Sequence, residues 1–142
     1  MKNEAKSSSS IHDERDRSKT ALLLIDVVND LEFPGGDELL PRALAMAKKL
    51  ATLKARAHRQ GIPVVYVNDN VGRWREDARS IVDRCLEEGR RGRPMVELLL
   101  PKVTDYFVLK PRHSAFHSTV LEDLLEHLGV KTVVITGLAA DY

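Results

Sequence analysis

Two charged residues close apolar runs in this chain, and each placement carries a chemical implication. Asp26 follows Ala21-Leu22-Leu23-Leu24-Ile25, and Lys110 follows Tyr106-Phe107-Val108-Leu109. A carboxylate at the end of an all-apolar strand is costly if buried alone, so a cation or hydrogen-bond donor must meet it. Lys110 is the natural partner. The pair then either caps the sheet rim as a structural ion pair or moves protons, and the pattern leaves both open. Phosphotransfer proteins also carry Asp at strand ends. However, no acidic pair precedes Asp26, and the run Asp26-Val27-Val28-Asn29-Asp30 is not a DxDx[TV] pattern. The third feature is Thr136-Gly137-Leu138-Ala139-Ala140-Asp141-Tyr142. Small residues after a strand let backbone N–H groups approach a developing anion, or simply make a tight connection. Cys85 lies three and four residues from Val82 and Ile81, on the apolar side of a helix, and reads as a small buried hydrophobe.

The elements that must position these residues follow from hydrophobic period. Ala21–Ile25 is a continuous apolar run, as expected of a strand buried on both faces. Phe33-Pro34-Gly35-Gly36-Asp37 has loop chemistry, and Leu39 to Gln60 carries apolar residues at helical spacing, closed by Gly61. Ile62–Val67 reads as a second strand, Trp74 to about Glu88 as a helix, and Tyr106–Leu109 as a third strand. His117–His127 reads as a helix closed by Gly129, and Lys131–Thr136 as a fourth strand. Strands alternating with helices imply right-handed crossovers and a three-layer α/β/α fold with a parallel, doubly wound sheet. Ligands of such sheets bind beyond the carboxyl ends of the strands. Asp26, Asn68-Asp69-Asn70, Lys110 and Gly137 onward therefore converge on one rim.

Composition narrows the function further. The 142 residues hold 22 Lys+Arg against 21 Asp+Glu, a formal net charge of +1. That balance gives no electrostatic case for a nucleic-acid or membrane-surface partner. No apolar run approaches the roughly 20 residues that span a bilayer. One cysteine excludes an internal disulfide framework and a multi-cysteine metal site, and the polar N-terminus is not a secretory signal, so the cytoplasm is the expected compartment. Residues 1–18 are too polar to offset ordering entropy and are expected to form a disordered or loosely docked arm. Residues 19–142 are expected to be the N-terminal part of a single domain. The turn at Gly137–Tyr142 leads toward a helix, and without the last crossover one sheet edge stays bare.

Together these segments resemble the isochorismatase-like cysteine hydrolase superfamily, which includes nicotinamidases and N-carbamoylsarcosine amidase-like enzymes. The matching stretches are Ala21–Asp30, Val65–Asn70, Lys110–Phe116 and Ile135–Tyr142, in the family's order and spacing from about Thr20 to the last residue. The resemblance implies an Asp-Lys-Cys triad, with Asp26 and Lys110 as its first two members. The family cysteine falls two residues after the Asp of a G-x-A-x-D-x-C turn, hence directly after Tyr142. It further implies a thioester-type intermediate, and an oxyanion hole from the backbone N–H groups of Ala139 and that cysteine. A non-proline cis peptide would lie at Leu138–Ala139. Phe33, Asn68, Trp74 and Tyr142 become the expected substrate contacts, a small molecule the expected partner, and a homo-oligomer the expected assembly. Arg73-Trp74-Arg75 would face an anionic substrate or a neighbouring subunit, or pack as plain surface. Nicotinamidases carry a metal-binding Asp-x-His after the second strand, whereas this chain has Asn68-Asp69-Asn70-Val71-Gly72-Arg73-Trp74. No metal and no cofactor are therefore expected, and nicotinamide is a less suitable substrate. His113 and His117 have ligand spacing but lie across a loop; His58 reads as part of a solvated helix, and Arg90-Arg91-Gly92-Arg93-Pro94 as a solvated basic loop. A non-catalytic binding or assembly member is the alternative, decided by whether a cysteine follows Tyr142.

Overall fold

The computed structural model describes residues 17–69, 75–110 and 120–138. Within them, β1 (Thr20–Ile25) is buried on both faces, as its unbroken apolar run demands. Leu22 and Leu24 join one core with Ala43, Ala47 and Leu50 of helix α1 (Gly36–Arg59). Ala21, Leu23 and Ile25 point the other way, into a second core with Leu121 and Leu125 of α4 (Leu121–His127). Strand alternation thus gives the sheet a helix layer on each face.

The sheet is parallel, with order β3-β2-β1-β4, where β2 is Val64–Asp69, β3 is Tyr106–Lys110 and β4 is Thr132–Gly137. The chain steps outward from β1 to β3 and then returns to the far side of β1. The order therefore reverses between β1 and β4, where a ligand crevice belongs in sheets of this kind. The three-layer α/β fold expected from the sequence is present. No helix among the described residues is long and apolar enough to cross a membrane. The N-terminal arm, except for its last two residues, lies outside the described residues, as do Asn70–Trp74, the His113/His117 pair and Ala139–Tyr142.

Several boundaries move. α1 starts at Gly36, not Leu39, because Gly35 supplies a left-handed entry (φ 87°) and Gly36 packs where a Cβ would lie 2.0 Å from Leu31 O. Asp37 and Glu38 then suit the positive helix end. β2 begins after Pro63 and runs on to Asp69, because Asp69 pairs with Lys110 of β3. The helix expected from Trp74 is α2 (Ala78–Cys85), whose start is set by Asp77 Oδ1 accepting the Ser80 N–H at 2.8 Å. The basic loop is the largest correction. Arg93–Leu98 is a short helix, α3, with Pro94 in its first turn where no N–H is needed. Among the described strands β4 pairs with β1 alone, and its Val134 and Ile135 are exposed, in contrast to β1.

Candidate active site

β1 ends in an unusual backbone. Asp26 has φ 56°, a left-handed conformation that Asp tolerates better than most residues. Its N–H still donates to Val67 O at 2.9 Å, so the kink begins only after the last ladder bond. The turn swings the Asp26 carboxylate over the end of β2. There Oδ1 accepts the Asp69 N–H at 3.0 Å, and Oδ2 accepts from Lys110 Nζ at 2.9 Å. The Lys110 side chain is 1% exposed and that of Asp26 15%. Lys110 reaches this point because β3 pairs Lys110 with Asp69 and Val108 with Val67. The two charges that the sequence placed at strand ends are one ion pair, bridging β1 and β3 across β2.

Asn68 fixes the loop that follows. Its Nδ2 donates to Val28 O at 2.7 Å and its Oδ1 accepts the Val28 N–H at 3.3 Å. The residue lines the cleft beside Asp26, while its amide is committed to Val28 on both sides. Asn29 and Asp30 continue the loop with side-chain turns, accepting the N–H groups of Leu31 (2.8 Å) and Glu32 (3.0 Å). The cleft measures about 260 Å³ and is lined by Asp26, Val28, Phe33, Asn68, Ile81 and Arg84. Phe33 is 40% exposed on its wall. On the β4 side, Leu138 N–H donates to Ile25 O at 3.1 Å, which brings the start of the small-residue turn against the end of β1. Ala139, Trp74 and Tyr142, and with them the expected cis peptide at Leu138–Ala139, lie outside the described residues.

The sequence reading missed what holds this loop. Arg91 donates from Nη1 to Leu31 O at 2.8 Å, and its N–H donates to Glu32 Oε1 at 2.9 Å. Arg84 bonds Glu76 and lies 3.8 Å from Asp30. Gly92 sits where a Cβ would be 2.0 Å from Asn29 O. Arg91 and Gly92 of the basic segment thus clamp the rim loop, while the Arg93 side chain stays 42% exposed beside Glu97. Only the Asn29 and Asp30 turn chemistry was available to signal it.

Cys85 is fully buried, and burial pushes its thiol up to about 11, so it stays protonated at neutral pH. It belongs to the apolar core that also holds Ile81 and Met95. Native protein at pH 8 is expected to leave Cys85 unmodified by iodoacetamide over hours, with alkylation appearing only in denaturant. Cys85→Ala is expected to cost about 1–2 kcal/mol in a urea titration through the small cavity it leaves.

Comparisons with known proteins agree with this fold. The profile of the isochorismatase domain matches residues 20–142. The uncharacterized isochorismatase family protein YaaI of Bacillus subtilis is 34% identical over 125 residues, covering 88% of this chain and 68% of that protein. Maleamate amidohydrolase of Pseudomonas putida is 32% identical over 127 residues, covering 84% of this chain and 59% of its own length. Among solved structures, N-carbamoylsarcosine amidase from Thermoplasma acidophilum superposes with a TM-score of 0.54 at 26% identity, covering 84% of this chain and 68% of that one. The chain therefore spans roughly three-fifths to two-thirds of these three proteins, two of which are named as an amidohydrolase or an amidase. With its parallel sheet and this match in agreement, the chain belongs to the isochorismatase family of hydrolases.

Proposed function

We propose that the parent protein is a cysteine hydrolase that cleaves an amide, ureido or related C–N bond of a small molecule. The observation that carries this reading is the Lys110–Asp26 pair at 2.9 Å on the carboxyl rim of the sheet. The nucleophile is a cysteine directly after Tyr142, at the motif position described above. Asp26 takes the thiol proton; the thiolate attacks the carbonyl carbon. The C–N bond breaks as Asp26 returns that proton to the leaving nitrogen, and a thioester remains. Water then attacks the thioester, giving the acid and restoring the thiol. Lys110 holds the Asp26 carboxylate in place and favours the thiolate over the thiol. The backbone N–H groups of Ala139 and of the cysteine receive the developing oxyanion. Phe33, Asn68, Trp74 and Tyr142 border the substrate, with Asn68 acting through its hold on Val28.

The names of maleamate amidohydrolase and N-carbamoylsarcosine amidase, both C–N hydrolases, support the reaction class. The reading includes no metal, no cofactor, a cytoplasmic setting and a homo-oligomer. The test is ammonia release by the full-length protein from a panel of small primary amides and ureido compounds. Turnover is expected to be unchanged after dialysis against EDTA. Loss of turnover restored by zinc or iron would overturn the metal-free mechanism, and no release from any member of the panel would favour a binding module.

A further inference from the structure

Charged side chains also converge at the opposite end of the sheet, far from Asp26. The Asp105 side chain, directly before β3, is 2% exposed. It pairs with Lys54 Nζ at 3.1 Å and with His58 Nε2 at 3.0 Å, and it accepts the Lys102 N–H at 2.7 Å. Lys54 and His58 stand one turn apart on α1, so both reach one carboxylate. His58, expected in a solvated helix face, is instead mostly covered. Lys54 also donates to Leu100 O at 2.6 Å and lies 5.1 Å from the centroid of the Tyr66 ring. Tyr66 donates its hydroxyl to Leu99 O at 2.8 Å and stacks on Phe107 at 5.9 Å. Four parts of the chain meet here: α1, β2, the connection out of α3, and the entry to β3.

A buried ion pair adds little net stability, since desolvating the charges offsets their attraction; its better attested use is to fix register. β3 is the element that needs fixing. It has five residues, lies at the sheet edge and pairs with β2 alone among the described strands. A slip of one residue moves every side chain about 3.3 Å along the strand and turns it to the other face. Lys110 would then lose Asp26. We infer that Asp105, clasped by Lys54 and His58, is the register anchor of β3 and thereby a positioning residue for Lys110. Its consequence for turnover rests on the function proposed above; the anchoring itself does not.

The test is Asp105→Asn in the full-length protein, read by two probes of Lys110. One is acetylation by dilute acetic anhydride, located by peptide mass spectrometry; the other is the 1H–15N resonance of the Lys110 ammonium. Lys110 acetylation is expected to rise about tenfold or more as β3 loosens locally, while exposed Lys48 and Lys49 change less than about twofold. The ammonium resonance is expected to shift or vanish while β1 amide resonances hold. His58→Gln, which removes the imidazole beside Asp105 but leaves Lys54 in place, is expected to move both probes the same way by less, and it serves if Asp105→Asn does not fold. Unchanged Lys110 probes in whichever of these variants folds would overturn the anchor. Full turnover by Lys110→Met would instead overturn the proposed function and leave the anchor standing.

Discussion

Asp26→Asn is expected to lower kcat of the full-length protein by about 10²–10⁴, the range of a positioned general base, with KM changed far less. The reason is geometric. Asn keeps the Oδ1 that accepts the Asp69 N–H, and so preserves the turn, but it cannot take a thiol proton. Its amide also meets the Lys110 ammonium where a carboxylate stood 2.9 Å away. Lys110 is left 1% exposed beside a neutral group, so a stability loss of about 3–5 kcal/mol is expected from the broken pair as well. A urea titration beside the kinetics separates the two effects. A variant that folds at the assay temperature yet turns over at the wild-type rate would remove Asp26 from the chemistry.

Among the described glycines, Gly137→Ala is expected to be the most damaging substitution. Gly137 has φ 124°, and a Cβ there would lie 2.0 Å from Ile25 O and 2.6 Å from Ile25 N. Those atoms are backbone of the central strand and cannot move without breaking the β1–β4 ladder at Ile25–Gly137. Strain and overpacking together are expected to cost about 3–5 kcal/mol, seen as a lower urea midpoint at an unchanged slope. Gly61→Ala is the control. Gly61 also has positive φ (68°), but nothing lies within 4 Å of a methyl added there, so about 1 kcal/mol is expected. Equal losses at the two positions would mean that conformation alone, not the close approach at the rim, is what Gly137 serves.

How much of this was legible in the sequence depended on how local each signal was. β1 and Asp26 could be read because an apolar run of strand length ends abruptly in a charge. Lys110 could be paired with Asp26 across 84 residues by the same logic, since each strand-end charge needed a partner and the fold class brings the strand ends together. α3 was not legible: Gly92 and Pro94 punctuate Arg90–Pro94 like a loop. Pro94 in fact sits in a helix's first turn, and Gly92 is small because Asn29 presses on it. The Lys54–Asp105–His58 cluster was hidden for a related reason. Lys54 and His58 share a helix face, but nothing local reports the carboxylate that arrives from the entry to β3. Burial on β4 also departed from its apolar spelling: among the described strands it pairs with β1 alone, and Val134 and Ile135 are exposed.

The central claim is a nucleophilic thiol set beside the Asp26–Lys110 pair. Its most direct test is stoichiometric iodoacetamide labelling of the native full-length protein at pH 7, quenched in acid and mapped by peptide mass spectrometry. The expected result is one label, on a cysteine directly after Tyr142, forming much faster than on a free thiol and slowed by Lys110→Met, with Cys85 unlabelled. Absence of a labelled cysteine at that position, or labelling of Cys85 in its place, would contradict the account.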